Sequence, residues 1–561
     1  MNIASGFNRL CGGMTRQALH LWVAMLATAF ASLCDVIEFA SRQPQAAFAI
    51  AGLICYAVCK ASAVTLLYIF CRNNRWLRWG CIVFIAGFVV LSVVNLACLG
   101  FYGFGITRKL ITILCETNPG EVREFIPNLL SQAFAAVTNR NLWCAVLIFI
   151  ILWRGVPEIP ARIFIPAAGV ISLLGGGYFV YVYATAEFGK SNHIIYVRTA
   201  RCIRATIQDM RNIRELSRQR RPLPDGITAS SEYKADRVVV VIGESASRDH
   251  LSLYGYPLPT SPNLDSISAG LYVFSDAIGA SSSTAENIPR LLTFMTDEPS
   301  QREWYEYPTL IQLFKALGYS TSWLSNQERT GELSNLSGIL SNDADVVKYL
   351  GSQNSEDHYL YKYDEVLLPA WTELMEKGKR RQLAFLHLMG SHIQYHNRFP
   401  ADRSKFTADD VLGAAPRKWL TRKKAAVIAN YDNSLLYTDS ILNRIISELR
   451  RSELPSVMVY LSDHGENVFD NRDFNGRDPE FVRVPFIIYA NEAYRRLNPE
   501  IIADIERSLH QPFSTSELPQ LLLHLSGSGY KSYSPQRDPL SPQFRPRTRY
   551  VDDEPFKSSR Q

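Results

Sequence analysis

Apolar residues in the first third of the chain run in long, nearly unbroken stretches at 19–40, 46–70, 76–100, 142–153 and 162–184. Four of these reach the ~20 residues that a helix needs to cross a bilayer, and the fourth in order would borrow flanking residues. Five spans are therefore expected within residues 1–189. A polar interruption at 104–141 forms a loop between the third and fourth spans, and Glu116-Thr117-Asn118-Pro119-Gly120-Glu121 within it has the look of a capped helix start.

From residue 237 the pattern changes. Short apolar runs at 238–242, 322–325, 383–388, 457–461 and 484–489 alternate with helical stretches such as 309–317 and 426–449. That alternation predicts an α/β domain with a mostly parallel central sheet. Its polar, chemistry-bearing segments follow the carboxyl ends of the runs, where open α/β sheets place their sites. Residues 190–235 read as an amphipathic segment and linker ending in Pro222-Leu223-Pro224, 236–527 as the catalytic domain, and 528–561 as a polar surface tail rich in Pro, Ser and Arg.

Charge orients this arrangement. Arg9 and Arg16, then Arg72, Arg75 and Arg78, then Arg154 fall on the N-terminal side of the spans, which should be cytoplasmic, leaving everything after residue 184 exported. The long first stretch, with no small-residue cleavage site, reads as a span rather than a cleaved signal. All ten cysteines lie at or before Cys202, so the exported domain has no internal disulfide and must rely on its core. The net charge of +6 gives no case for a nucleic-acid partner, since much of it lies in the arginine-rich segment 198–221, suited to anionic head groups beside the last span.

Three distant segments carry the candidate chemistry: Gly243-Glu244-Ser245, Ser283-Thr284-Ala285 and Ser462-Asp463-His464-Gly465-Glu466. Glu244 and the pair Asp463-His464 each follow a buried apolar run, and adjacent carboxylate and imidazole suit zinc. Taken alone, Glu244 reads equally well as a surface or capping carboxylate, and Thr284 as a helix N-cap. A hydroxyl becomes a nucleophile only when a metal or base lowers its pKa, which zinc on Glu244, Asp463 and His464 would do. Of His387, His392 and His396, the first lies in an apolar run and reads as a core histidine. His392, in the loop after Gly390-Ser391, is the candidate for protonating a leaving alkoxide or deprotonating an acceptor.

The segments 243–248, 251–257 and 260–264, then Met389-Gly390-Ser391-His392, 430–439 and 462–466, resemble in order the motifs of bacterial phosphoethanolamine transferases of the alkaline phosphatase and sulfatase superfamily. The resemblance spans nearly the whole chain. It implies that Thr284 is the nucleophile, that Glu244, Thr284, Asp463 and His464 hold one zinc ion with a second left open, and that His392 lies at the substrate or second-metal site. It also implies that Thr117 and Glu121 help bind the ethanolamine head group. Trp323-Leu324-Ser325-Asn326-Gln327, the missing cysteines and Asn471 to Arg477 look more like the branch that modifies lipopolysaccharide core or periplasmic glucan than the lipid A branch, with Asn326 and Gln327 as candidate substrate contacts.

The expected protein is thus a multi-pass enzyme of the bacterial inner membrane with a periplasmic catalytic domain. It would move phosphoethanolamine from phosphatidylethanolamine to lipopolysaccharide core, lipid A or glucan through a covalent threonine. Alternatives are a phosphoglycerol transferase of the same superfamily and a noncatalytic envelope scaffold. A sulfatase is disfavoured, because its formylglycine is usually made from a cysteine that the exported domain lacks.

Overall fold

A computed structural model of the chain describes residues 195–218, 227–228, 233–299, 302–327, 336–351, 362–414, 420–468 and 479–557, with scattered positions between 74 and 170. Two compact units divide the chain, Met1–Asp209 and Met210–Gln561. Among the described residues no helix is long and apolar enough to cross a membrane, and the five expected spans lie largely outside them. The arginine-rich segment begins in helix α1 (Ile195–Arg218), where Ile203 and Ile207 are exposed.

The second unit is built on seven strands: β1 (Arg237–Gly243), β2 (Leu271–Val273), β3 (Ser320–Ser325), β4 (Val346–Tyr349), β5 (Gln382–His387), β6 (Ser456–Ser462) and β7 (Phe486–Ala490). Their spatial order is β2-β7-β6-β1-β5-β3-β4. Neighbours from β6 through β1, β5 and β3 to β4 are parallel, and only β7 runs against the rest. The sheet is mostly parallel, as the alternating pattern predicts. The two edge strands are the ones that this pattern does not announce. β4 is half exposed and carries Lys348, and β2 has only three residues.

The central strands read as unbroken apolar runs because both faces of the sheet are covered. Val238, Val240 and Ile242 of β1 point to one side, with helices α2 (Thr284–Leu292), α3 (Leu310–Ala316), α6 (Pro499–Ser508) and α7 (Leu518–Ser526). Val239 and Val241 point to the other, with α4 (Leu367–Lys377) and the 30-residue α5 (Arg422–Arg451). The two-residue period of the strand thus feeds two separate cores in a three-layer domain.

The expectation of a polar tail after residue 527 is corrected over 528–557, which pack against the domain. Leu540 and Asp538 are buried. Arg537 and Arg547 both bond Glu517 and Glu298, and Arg549 holds Asp276 at 2.8 Å. His524 Nδ1 and the Tyr533 hydroxyl meet Asp538. The segment is polar because it answers acids already on the domain, and composition alone cannot distinguish that from solvation. Two short strands close it, β8 (Tyr550–Val551) and β9 (Glu554–Pro555).

Phe274, Phe486 and Phe513 meet edge to face, with ring centroids 5.0 to 5.7 Å apart, where β7 joins the C-terminal half. Phe274→Ala is expected to lower the unfolding free energy by about 3–5 kcal/mol through the cavity it leaves, seen as an earlier urea midpoint with an unchanged slope.

Candidate active site

The register of β1 and β6 builds the site. Gly243 pairs with Ser462 at the end of the ladder, and the Asp463 N–H still donates to the Gly243 carbonyl at 3.0 Å. The next residue on each strand, Glu244 and Asp463, therefore emerges side by side at the carboxyl end of the sheet. Among the described residues, Glu244, Asp463 and His464 form the group whose candidate ligand atoms all lie within 4.8 Å of one another.

Thr284 arrives from the other side as the first residue of α2. The helix cap is Ser283, and the Thr284 hydroxyl instead donates to Asp463 Oδ2 at 2.6 Å, with Glu244 Oε2 at 3.2 Å. The N-cap reading of Thr284 is thereby set aside. The half-buried hydroxyl sits at the positive end of a helix, where an anionic phosphoryl group is favoured.

Electrostatics set this cluster apart from an ordinary polar patch. Burial and the neighbouring Glu244 carboxylate push the Asp463 pKa up to about 7. Burial would raise Glu244 as well, but the bond to His464 and the nearby positive charges of His464 and His392 hold it well below the usual carboxylate range. Burial works against the charged imidazole of His464, yet the two carboxylates outweigh it and raise that pKa to about 10. Two buried acids side by side are thus stable only with a proton or a cation between them.

The donor set fits a divalent metal. His464 Nδ1 lies 2.7 Å from the Gly465 carbonyl, which can only accept, so Nδ1 keeps a proton, and Nε2, facing Glu244 and Asp463 at 3.4 and 3.7 Å, is the nitrogen whose proton a metal would displace. Two carboxylates, one imidazole and a hydroxyl are ligands that zinc accepts.

The remaining candidates divide. Gln327 donates its amide to Glu244 Oε2 at 3.1 Å and to the Leu388 carbonyl, so it touches the site through a ligand. Asn326, expected as a substrate contact, is buried and spends its amide on Asp364 and the Lys362 carbonyl. Asp364 also accepts the Met389 and Gly390 N–H groups, so Asn326 braces the loop that carries His392 rather than facing a substrate. His392 is half-buried and acts electrostatically on Glu244. His387 is a core histidine, with its pKa lowered to about 4 by burial. Thr117 and Glu121 lie outside the described residues.

Two contributors carry no role in the sequence reading. Ser245 stands at φ 57°, a strained position for a serine, where its N–H donates to Asp463 Oδ1 and its hydroxyl to Glu244 Oε1. Tyr431 of α5 holds this turn: its hydroxyl donates to the Ser245 carbonyl at 2.7 Å and accepts the Ser247 N–H at 2.8 Å. Both residues fall inside quoted motifs, but their role depends on a contact across 184 and 186 residues that no local pattern encodes.

A hydroxyl held by two carboxylates at the head of a mostly parallel sheet defines a class, the metal-assisted phosphotransferases of the alkaline phosphatase type. A sulfatase family model matches residues 236–528. The chain belongs to the sulfatase family, in the branch formed by the phosphoethanolamine transferases. Phosphoethanolamine transferase EptC of Escherichia coli K12 is 26% identical over 503 residues, covering 84% of each chain, and the transferase CptA of Salmonella typhimurium is 26% identical over 505 residues with the same coverage. The crystal structure of the C-terminal periplasmic domain of Escherichia coli EptC, also solved in complex with zinc, aligns with a TM-score of 0.53 and 28% identity, covering 61% of this chain and 95% of that one. The integral membrane transferase EptA of Neisseria meningitidis aligns over 94% of this chain and 99% of its own, with a TM-score of 0.62 and 18% identity, which speaks for the fold.

Two outcomes follow. A metal must displace the proton that the acids place on His464, so zinc affinity should rise about tenfold per pH unit between about pH 7.5 and 9, with roughly one proton released per ion in calorimetry across buffers. Gly390 has φ +50°, and a Cβ there would lie 2.8 Å from the Glu244 backbone. Gly390→Ala is therefore expected to weaken zinc binding by about tenfold, measured by competition with a chelating dye, and to lower the melting temperature, because the added Cβ meets backbone at a left-handed φ.

Proposed function

We propose that this enzyme takes phosphoethanolamine from phosphatidylethanolamine, holds it on Thr284, and passes it to a glycan or lipid of the cell envelope. The observation that carries the reading is the Thr284 hydroxyl, which bonds two buried carboxylates at a helix N-terminus and caps nothing. The branch to which the chain belongs supports the head group, since its relatives are named as phosphoethanolamine transferases.

Zinc held by Glu244, Asp463 and His464 would supply the positive charge that favours an ionised hydroxyl and offsets charge developing on the phosphoryl oxygens. Thr284 Oγ1 gives up its proton toward Asp463 Oδ2 and attacks phosphorus in line. The bond from phosphorus to the glycerol oxygen breaks, and His392 protonates the departing diacylglycerol. An acceptor oxygen, deprotonated by His392, then attacks the same phosphorus, and the Thr284–phosphorus bond breaks as Oγ1 takes back the proton that Asp463 held. Two in-line displacements retain configuration at phosphorus. Gln327 keeps Glu244 oriented throughout.

A bilayer-embedded donor gives the N-terminal stretches their purpose. Five spans would anchor the catalytic domain on the periplasmic face of the inner membrane, α1 and the basic residues after it would rest on head groups, and Thr117 and Glu121 would receive the ethanolamine. The acceptor is lipopolysaccharide, in its core or its lipid A, or a periplasmic glucan. One zinc ion suffices for these steps.

Intact-mass spectrometry of the purified protein after incubation with phosphatidylethanolamine tests the proposal. A phosphoethanolamine-sized adduct on Thr284, absent from Thr284→Ala, is the expected result. A glycerophosphate-sized adduct formed only when phosphatidylglycerol is supplied instead would point to a phosphoglycerol transferase, and a zinc-loaded protein that forms no adduct with either lipid would overturn the covalent route.

A further inference from the structure

The nucleophile loop is held from outside the sheet by the C-terminal hairpin, a segment that the site described above does not use. Strands β8 and β9 pair Tyr550 with Pro555 and Val551 with Glu554, leaving Asp552 and Asp553 as a two-residue turn. Both have positive φ, 50° and 65°, the signature of a tight hairpin turn of type I′. The hairpin is seated on the domain by several contacts. Val551 is buried against Ile278, Phe481 and Val482, with Phe556 beside them. Arg549 bonds the Asp276 carboxylate and carbonyl, and the Tyr550 N–H donates to Asp297 at 2.9 Å.

This seating carries the turn to the loop that leads into Thr284. The Asp552 N–H donates to the Ala280 carbonyl at 3.1 Å, and the Ser281 hydroxyl donates to Asp552 Oδ1 at 2.6 Å. Ser281 Oγ in turn lies 3.3 Å from the Ser283 N–H, one residue before Thr284. Asn287, one turn into α2, closes the same loop from within by accepting the Ser281 N–H and donating to the Ser281 carbonyl at 2.6 Å. Because Ser283 makes no side-chain cap, the start of α2 is placed by this chain of bonds together with the two that Thr284 itself makes.

We infer that Asp552 is a positioning residue for the nucleophile: through Ser281 it fixes the backbone from which Thr284 presents its hydroxyl to the phosphoryl group. The inference rests on Thr284 being the nucleophile. The bond to Ser281 sets where Oγ1 stands relative to Asp463 and Glu244, so it bears on the rate of the first displacement, while Glu244, Asp463 and His464, which the strand ends place, keep zinc bound without it.

The full-length, zinc-loaded enzyme is the material for the test, with single-turnover formation of the phosphoethanolamine adduct on phosphatidylethanolamine vesicles as the readout. Asp552→Gly and Asp552→Asn both suit a left-handed turn, but only the asparagine keeps an oxygen able to accept the Ser281 hydroxyl. Asp552→Gly is expected to slow adduct formation about tenfold at saturating donor, with half-saturation, zinc content and melting temperature unchanged, whereas Asp552→Asn stays within about twofold of the parent. If Thr284→Ala abolishes the adduct while Asp552→Gly forms it at the parental rate, the clamp is wrong and the nucleophile stands. Equal slowing in both Asp552 variants would also overturn it, by tracing the effect to charge rather than to the bond. An adduct that persists in Thr284→Ala would remove the nucleophile reading and the clamp together.

Discussion

Two carboxylates that the sheet forces together govern this structure. Parallel pairing of β1 and β6 ends at Gly243 and Ser462, so Glu244 and Asp463 leave the ladder as neighbours, both buried and facing the same space. Neither could stay ionised there alone, because burial and mutual repulsion act in the same direction. The surrounding groups answer that problem. His464 brings an imidazole whose proton the two acids retain, Ser245 and Gln327 donate to Glu244, and Thr284 and the Ser245 and His464 N–H groups donate to Asp463. A divalent cation resolves the same repulsion more completely, which is why a site so costly without metal is coherent with one.

The geometry also separates what each layer contributes. The proposed metal ligands stand on strand ends, where register fixes them. The proposed nucleophile stands at the start of α2, which can be placed independently of the sheet. Between them, Asp364 gathers the Met389 and Gly390 N–H groups and the Asn326 amide into one node that sets the path of the loop bearing His392. In the proposed reaction, metal ligands, nucleophile and proton carrier thus come from three separate pieces of backbone, and their relative placement decides the rate.

How much of this was legible in the sequence follows from how each part is held. The core strands were readable because a strand covered on both faces is apolar along most of its length, with β3, where only Trp323 and Leu324 are apolar, the weakest case. Edge strand β4, with Val346 exposed and Lys348 on its surface, has no such requirement. Glu244, Asp463 and His464 were readable because polar residues directly after buried strands stand out. Thr284 was not settled locally: a threonine at a helix start caps far more often than it attacks, and only the bonds to Asp463 and Glu244 set the cap reading aside. Asn326 misled for a related reason, since its proximity to Gln327 in sequence hid the fact that the two side chains leave the strand end in different directions, one to Asp364 and the other to Glu244. The packing of 528–557 was illegible because arginines answering Glu517 and Asp276 have the same composition as arginines in water.

Residues 430–439 show what a motif can encode besides chemistry. No side chain in it contacts Glu244, Asp463 or His464 in the bonds described above, yet four of its polar ones are spent on loops. Asp432 meets His250 and Tyr256, Asn433 accepts the Lys405 and Phe406 N–H groups, and Asp439 accepts those of Asn263 and Leu264, its pKa raised to about 6 by burial. Tyr431 holds the Ser245 turn in the same manner. A 30-residue helix buried against the sheet is the stiffest element available, and fastening four stretches of loop to it transmits that stiffness to them. Strain at Ser245 can then persist, because the backbone on both sides of Ala246 is pinned by a hydroxyl that has no freedom to move. The strands decide which groups react, and α5 keeps the loops around them in register.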